Sequence, residues 1–179
     1  MSNPVLIHIG FSQISGMLTS TSREKNMPTI VIASPKGGAG KSTTAVILGT
    51  ELAHAGAEVV MIDCDPNGSL SLWADRAELP ARITVLTAVG ESEIVKVIKQ
   101  NDKDGRIVIV DLEGVASRLV SRAISQADLV VTPMRATTLD ATIGVRALAL
   151  IAEEEEALDR RIPHAVVFTM TKAIKSKQH

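Results

Sequence analysis

The chain has 179 residues, a net charge of −1, a single cysteine and only 2% aromatic residues, although 45% of its residues are hydrophobic. This length fits one domain with a sizeable core, and that core must be aliphatic. The balanced charge excludes a global basic field, so binding to nucleic acid would need a local patch. One cysteine, Cys64, excludes an internal disulfide and cannot build a zinc site alone, which favours a cytoplasmic protein. No apolar run approaches the ~18 residues of a membrane span.

The first 26 residues differ from the rest of the chain. Nothing from Met1 to Ser22 is charged, and Ser and Thr are frequent. There is no basic segment of the kind that begins a secretory signal. The stretch "VLIHIGF" could form a short strand. We interpret residues 1–26 as an N-terminal extension of unknown role and residues 27–179 as one domain.

From Pro28 onward, strand-like and helix-like segments alternate. Strands are predicted over residues 29–34, 57–63, 82–88, 106–111, 128–133 and 164–169. Helices are predicted over residues 41–56, 91–100, 114–125 and from Asp140 to about Leu158. The strands are continuous apolar runs rather than alternating patterns, as in strands that are buried on both faces. The pattern therefore predicts an α/β fold, with a mostly parallel sheet flanked by helices.

A glycine-rich loop, "SPKGGAGKST", joins the first predicted strand to the first predicted helix. Backbone N–H groups at a helix N-terminus point at bound anions, and the helix dipole favours negative charge there. Gly37, Gly38 and Gly40 permit close approach of a phosphate to the backbone. Lys41 can reach the β- and γ-phosphates of a nucleotide, and the Ser42 hydroxyl can ligate Mg²⁺.

Acidic residues end two of the predicted strands. Asp63 and Asp65 follow the second strand, and Asp111 ends the fourth. Ligands of open α/β sheets lie outside the carboxyl ends of the strands. An aspartate after a run of apolar β-residues commonly holds a magnesium-bound water in phosphate-loop NTPases. Each aspartate alone could equally cap a helix, but all three are expected at the sheet edge that carries the loop. Cys64 is interpreted as a small buried residue.

Together, "KGGAGKST", "IDCDPNGSLSLWAD", "IVIVDLEG" and "VVTPMRATTLD" resemble the ParA family of partition ATPases, within the wider group that includes MinD. The resemblance covers Pro28 to about Thr171. It implies a P-loop NTPase fold with a deviant Walker A loop, in which Pro35 replaces the usual first glycine and Lys36 is the signature lysine. It also implies an ATPase that uses ATP and Mg²⁺, turns over slowly and is stimulated by a partner.

The resemblance implies roles for individual residues. Lys36 would cross a homodimer interface and contact the phosphates bound by the partner subunit. Asp65 would orient the attacking water, and Lys36, Lys41 and Asp65 would be the catalytic residues. Asp63 would support the magnesium shell, beside Ser42 and Asp111. The residues implied to contact the nucleotide are Lys36, Gly37, Gly38, Ala39, Gly40, Lys41, Ser42, Thr43 and, near the adenine, Thr169.

The favoured function is an ATP-dependent dimerisation switch that positions or segregates DNA. Its implied partners are a second copy of the chain, nonspecific double-stranded DNA and a ParB-like centromere-binding adaptor, with a nucleoid-associated location and no membrane. The alternatives are a MinD-like or other cargo-positioning ATPase, a small-molecule phosphotransferase and a non-hydrolysing relic of the fold. A MinD-like membrane switch needs an amphipathic C-terminal helix, which "KSKQH" does not supply. A reductase with a bridging iron–sulfur cluster is excluded because it needs at least two cysteines per chain.

The C-terminus departs from the family pattern. Relatives are expected to continue past the last predicted strand with a further strand and helices, whereas this chain stops at "TKAIKSKQH". We therefore expect a shortened protein, a fragment or a divergent minimal version. Lys172, Lys175 and Lys177 could begin a basic helix that contacts phosphates or could form a solvated tail.

Overall fold

The computed structural model describes residues 27–114 and 117–170. The predicted N-terminal extension and the terminal lysines Lys172, Lys175 and Lys177 lie outside these residues. Six strands form one sheet: β1 (Thr29–Ile32), β2 (Val59–Asp63), β3 (Ile83–Leu86), β4 (Ile107–Asp111), β5 (Leu129–Arg135) and β6 (His164–Thr169). Five helices accompany them: α1 (Lys41–His54), α2 (Ser69–Arg76), α3 (Ile94–Lys103), α4 (Arg118–Ile124) and α5 (Thr138–Leu158).

The sheet has the strand order β3-β2-β4-β1-β5-β6, and every pair of neighbours is parallel. The predicted parallel α/β architecture is therefore confirmed. Because β1, β2 and β4 lie in the middle of this order, their carboxyl ends converge on one stretch of the sheet edge. This stretch carries the glycine-rich loop, Asp63 and Asp111.

The core has two apolar layers, one on each face of the sheet. Successive strand residues point to opposite faces, so Val31 contributes to one layer and Ile30 and Ile32 to the other. Helices α1 and α2 cover the Ile30 face, and Trp73 of α2 packs there. Helices α3, α4 and α5 cover the opposite face. Both faces of the central strands are therefore buried, which explains their continuous apolar runs.

Strand β5 is longer than predicted. The sequence suggested that Pro133 ends the strand, but β5 pairs with β6 as far as Arg135. The N–H of Val130 donates to the Pro163 carbonyl next to β6, so the N–H groups of β5 that face β6 belong to every second residue from Val130. Pro133 belongs to the other set of residues, whose N–H groups would face β1. The pairing of β5 with β1 has already ended at Val131. The missing proline N–H therefore costs no bond to β6.

Helix α2 was not predicted, whereas the other helices were. The predicted start of α4 at residue 114 was too early, because Ser117 caps the helix by accepting a bond from the Val120 N–H. Helix α5 begins at Thr138, two residues before Asp140. Among the described helices, none is both long and apolar enough to cross a membrane.

Candidate phosphate-binding site

The glycine-rich loop connects β1 to α1 through two left-handed backbone conformations. Gly38 has a φ of +69° and Gly40 a φ of +91°, which side-chain-bearing residues rarely adopt. Gly40 is the N-cap of α1 and has no side chain to accept bonds from the first turn, which also lacks acidic residues. The N–H groups at the start of α1 are therefore offered to an anion that approaches from the loop.

Lys41 lies across this loop. Its side chain is almost fully buried, and its Nζ atom donates to the Lys36 carbonyl oxygen at 3.4 Å. Ser42 is half-buried and Thr43 is exposed on the first turn of α1. The following hydroxyl, that of Thr44, donates to the Gly40 carbonyl at 2.8 Å and so secures the start of the helix. The residues predicted to contact phosphate thus occupy the loop and the first turn of α1, and their contacts with a nucleotide stay predictions.

Three neighbouring segments hold the loop from outside. An Nη2 donor of Arg135 lies 2.7 Å from the Gly38 carbonyl oxygen, and the Thr169 hydroxyl donates to the Ala39 carbonyl at 2.8 Å. Gly114, after β4, packs so closely that a Cβ there would lie 2.9 Å from the Gly37 nitrogen. Sequence reasoning did not predict roles for Arg135 and Gly114. Both residues stand where a strand ends, Arg135 in the segment "TPMR" and Gly114 in the segment "DLEG", and this position could have indicated them.

Asp111 is completely buried at the end of β4, and among the described residues neither carboxylate oxygen has a hydrogen-bond partner of normal geometry. The pKa of this carboxyl is raised from 3.8 to about 6, chiefly by burial and also by the negative charge of Asp63. The nearby Ser42 hydroxyl and the Lys41 ammonium limit this increase, because both favour the charged carboxylate. A buried carboxylate without partners is unfavourable, so this position suits a cation.

These residues fit a magnesium ion. Mg²⁺ prefers hard oxygen ligands and usually takes only one or two protein groups beside water and substrate phosphates. The Ser42 hydroxyl and the Asp111 carboxylate would supply such oxygens. Across residues 27–114 and 117–170, no group of three or more His, Cys, Asp or Glu side chains is arranged to hold a metal without such help.

Asp63 and Asp65 occupy different surroundings at the end of β2. The Oδ2 atom of Asp63 accepts bonds from the Ser71 N–H at 2.8 Å and from the Ser71 hydroxyl at 2.5 Å. Its Oδ1 atom accepts the Asp65 N–H at 3.2 Å. Asp63 therefore anchors the start of α2, and its support of the magnesium shell stays a prediction.

Asp65 is half-buried, and its Oδ1 atom accepts bonds from the Asn67 N–H and Nδ2 at 2.9 and 2.8 Å. Asn67 thus holds the carboxylate proposed to orient water, and nothing in the sequence analysis singled it out. Between the two aspartates, Cys64 is buried as expected. Burial, with the charges of Asp63 and Asp111, raises the pKa of its thiol to about 12. The thiol is therefore inert at neutral pH.

The structure brings Lys36, Lys41, Ser42, Asp63, Asp65 and Asp111 to the carboxyl ends of β1, β2 and β4. Thr169 lies against the backbone of the same loop through its bond to Ala39. The adenine contact suggested for Thr169 stays a prediction, as do the separate catalytic roles. Arrangement and chemistry together suit the binding of a polyphosphate and a hard cation.

Comparison with known proteins agrees with this chemistry. Residues 30–157 match the family described as the CobQ/CobB/MinD/ParA nucleotide binding domain. Over 154 residues the chain is 68% identical to a protein named ParA from Rhizobium radiobacter. This match covers 86% of this chain and 69% of that protein. Further curated relatives are matched over 33–63% of their length, at 26–39% identity.

Two solved structures share the fold. An ATP complex of McdA from Cyanothece superposes with a TM-score of 0.69 at 21% identity, covering 87% of this chain and 75% of that one. The pNOB8 ParA bound to nonspecific DNA superposes with a TM-score of 0.64 at 17% identity, covering 82% and 69%.

Proposed function

Because the chain belongs to the CobQ/CobB/MinD/ParA nucleotide-binding family, we propose that it is a partition ATPase. In this proposal, ATP binding drives dimerisation and the dimer positions DNA through nonspecific contacts and a centromere-binding adaptor. The observation that carries it is the combination of an uncapped helix N-terminus with a buried Asp111 whose oxygens accept no hydrogen bond of normal geometry from the described residues. Nucleotide and hard cation would neutralise each other's charge at that point.

The mechanism assigns a separate task to each charged group. The N–H groups of the loop and the Lys41 ammonium bind the β- and γ-phosphates, and the Lys36 ammonium of a second copy stabilises charge as the γ-phosphoryl group leaves. Asp65 holds the attacking water in line, since positioning is most of what a protein supplies in phosphoryl transfer. Mg²⁺, when bound, neutralises charge on the phosphate oxygens.

The chain carries a local basic surface, although its net charge is −1. A groove along α3 is lined by Lys96, Lys99 and Arg122, and Asp104 is the acidic residue among its described lining. Asp104 lies 3.8 Å from Arg106, which offsets its charge. We assign the contact with DNA phosphates to this α3 groove, because only a local patch can attract DNA to a chain with balanced charge.

The test is ATP hydrolysis measured with and without nonspecific double-stranded DNA. We expect slow turnover that DNA accelerates, and we expect Lys41→Ala to abolish nucleotide binding or nearly so. Unchanged ATP affinity of Lys41→Ala in a direct titration would contradict the assignment of the phosphate loop. Turnover that responds to lipid or to a small metabolite, and not to DNA, would favour the cargo-positioning or phosphotransferase alternatives.

A further inference from the structure

Two consecutive carbonyl groups of the phosphate loop are each held by a side chain from another strand. Arg135, at the end of β5, donates to the Gly38 carbonyl at 2.7 Å, and Thr169, at the end of β6, donates to the Ala39 carbonyl at 2.8 Å. Neither contact belongs to the strand pairing of the sheet. Both side chains come from the two strands on the side of β1 away from β4.

Peptide geometry gives these contacts a consequence. In a trans peptide unit, the carbonyl of one residue and the N–H of the next point in opposite directions. A carbonyl that is fixed toward β5 or β6 therefore turns the following N–H away from those strands. The Gly38 contact fixes the Ala39 N–H in this way, and the Ala39 contact fixes the Gly40 N–H.

The surroundings show that each donor is committed to the loop. Within the described part of the chain, the buried Nε atom of Arg135 has no hydrogen-bond partner, and it is the Nη2 atom that donates to Gly38. The Thr169 methyl group packs against Gly40, where a Cβ would lie 3.2 Å from Thr169 Cγ2. The Thr169 hydroxyl also lies 3.3 Å from the Met134 carbonyl, which ties it to β5.

We propose that Arg135 and Thr169 are positioning residues that clamp the phosphate loop in its anion-binding conformation before any nucleotide arrives. The proposal rests on the proposed function, because its purpose is to bind a nucleotide. Donors that are already oriented need no reordering on binding, and this preorganisation raises affinity. The Arg135 charge adds a favourable field for phosphates. Neither residue needs to contact the nucleotide to act.

The experiment compares ADP with inorganic pyrophosphate as probes, each titrated with Mg²⁺ into the wild-type chain and into variants. A single bond to a charged or well-oriented group corresponds to about a tenfold change in Kd. We therefore expect Arg135→Gln and Thr169→Val each to weaken both probes about tenfold. Thr169→Ser retains the hydroxyl and should stay close to the wild type. Arg146→Gln removes an exposed arginine of α5 elsewhere and serves as the matched control.

Pyrophosphate separates the clamp from an adenine contact, because it has no base. If Thr169→Val weakens ADP but leaves pyrophosphate unchanged, Thr169 contacts the base and the clamp is wrong for that residue. The double variant Arg135→Gln/Thr169→Val should weaken binding by less than the product of the two single effects, since a loop that is released once has less left to lose. Independent effects that multiply fully would contradict a shared clamp.

Two further outcomes are distinguishable. If the wild-type chain binds neither probe, this result contradicts both the proposed function and the clamp. If the wild type binds both and the Arg135 and Thr169 variants match it within twofold, only the clamp falls. Circular dichroism identifies a variant that is unfolded. If Arg135→Gln is unfolded, the Thr169 pair decides, because Thr169→Val keeps the size of the side chain without the hydroxyl and Thr169→Ser keeps the hydroxyl. If Thr169→Val is unfolded, Arg135→Gln decides.

Discussion

Asp111 is a residue whose environment opposes its own charge. Its raised pKa of about 6 means that the folded protein binds the proton more readily than the unfolded chain does. The contribution of Asp111 to the free energy of unfolding is therefore most favourable below the unfolded pKa. It is lost as the pH rises through the folded pKa. Above pH 6 the nucleotide-free protein therefore holds an unfavourable buried carboxylate, at a cost of about 3 kcal/mol.

Asp111→Asn should consequently stabilise the nucleotide-free, magnesium-free protein at pH 7.5. For a chain of this size we expect an increase of several degrees in Tm, and we expect about half of the increase to disappear at pH 5, which lies between the unfolded and the folded pKa. The same variant should lose the stabilisation that Mg²⁺ and ADP give the wild type. Thermal unfolding at the two pH values measures both effects. A variant that is equally or less stable at pH 7.5 would show that the Asp111 charge is balanced in some other way.

Residues of the site differed in how far the sequence predicted them. Lys41, Ser42 and Asp111 were predicted because each stands at a fixed place in a strand–loop–helix pattern. Arg135 was not predicted, and Thr169 was predicted only for a contact near the adenine, because the bonds from Arg135 to Gly38 and from Thr169 to Ala39 join residues 97 and 130 positions apart. Such contacts depend on strand order, which no local pattern contains. Asn67 was missed for another reason. It bonds Asp65, only two residues away in the same turn, and such a local contact leaves no distinctive spacing in the sequence.

At the scale of elements, the sequence predicted all six strands and missed one helix. Helix α2 has eight residues and, of these, only Leu70 is buried, so the segment is too short to reveal a helical repeat. It is secured by Asp63, which bonds Ser71 from the end of β2. The extension of β5 past Pro133 was missed because the direction of the absent N–H depends on which neighbouring strand is still paired.

Helix α3 presents the basic groove, and its two exposed lysines can be removed without touching the core. Lys96→Gln/Lys99→Gln should weaken retention on nonspecific DNA and reduce the slope of log affinity against log salt by about two, since each phosphate contact contributes about one. Turnover without DNA should not change. Filter binding at several salt concentrations measures the slope.

The matched control for α3 is Arg76→Gln/Arg146→Gln, which removes two exposed cations from α2 and α5. It lowers the net charge equally but leaves the groove intact. If both double variants lose the same affinity and slope, the DNA contact follows overall charge and not the α3 groove. If neither loses any, DNA binds elsewhere on the chain.

For the whole molecule, the proposal requires two copies that share their catalytic groups. Lys36→Ala should leave nucleotide binding to one chain largely intact while blocking turnover, and Asp65→Ala should block turnover through loss of water positioning. A heterodimer of the two variants would contain one composite site with both groups intact. We expect up to half of the wild-type turnover per heterodimer and almost none from either variant alone.

The control for this mixture is a chain that carries both substitutions, mixed with the wild type. Its heterodimers lack one group in each composite site, so they should be inactive. If confirmed heterodimers of one Lys36→Ala chain and one Asp65→Ala chain recover no activity, Lys36 does not act across the interface. The parallel sheet was predictable from apolar runs, and with it the shared edge that carries Lys36 and Asp65, whereas the strand order that decides which strands are neighbours was not.

The composition of α2 gives the molecule an optical property. Trp73 is the single tryptophan of the chain, which contains no tyrosine, so near-ultraviolet emission comes essentially from one indole. That indole packs between α2 and the sheet, on the helix whose first turn is bonded to Asp63. Any displacement of this helix alters the polarity around the indole, so the wavelength and lifetime of its emission report on the Asp63–Asp65 segment in unlabelled protein.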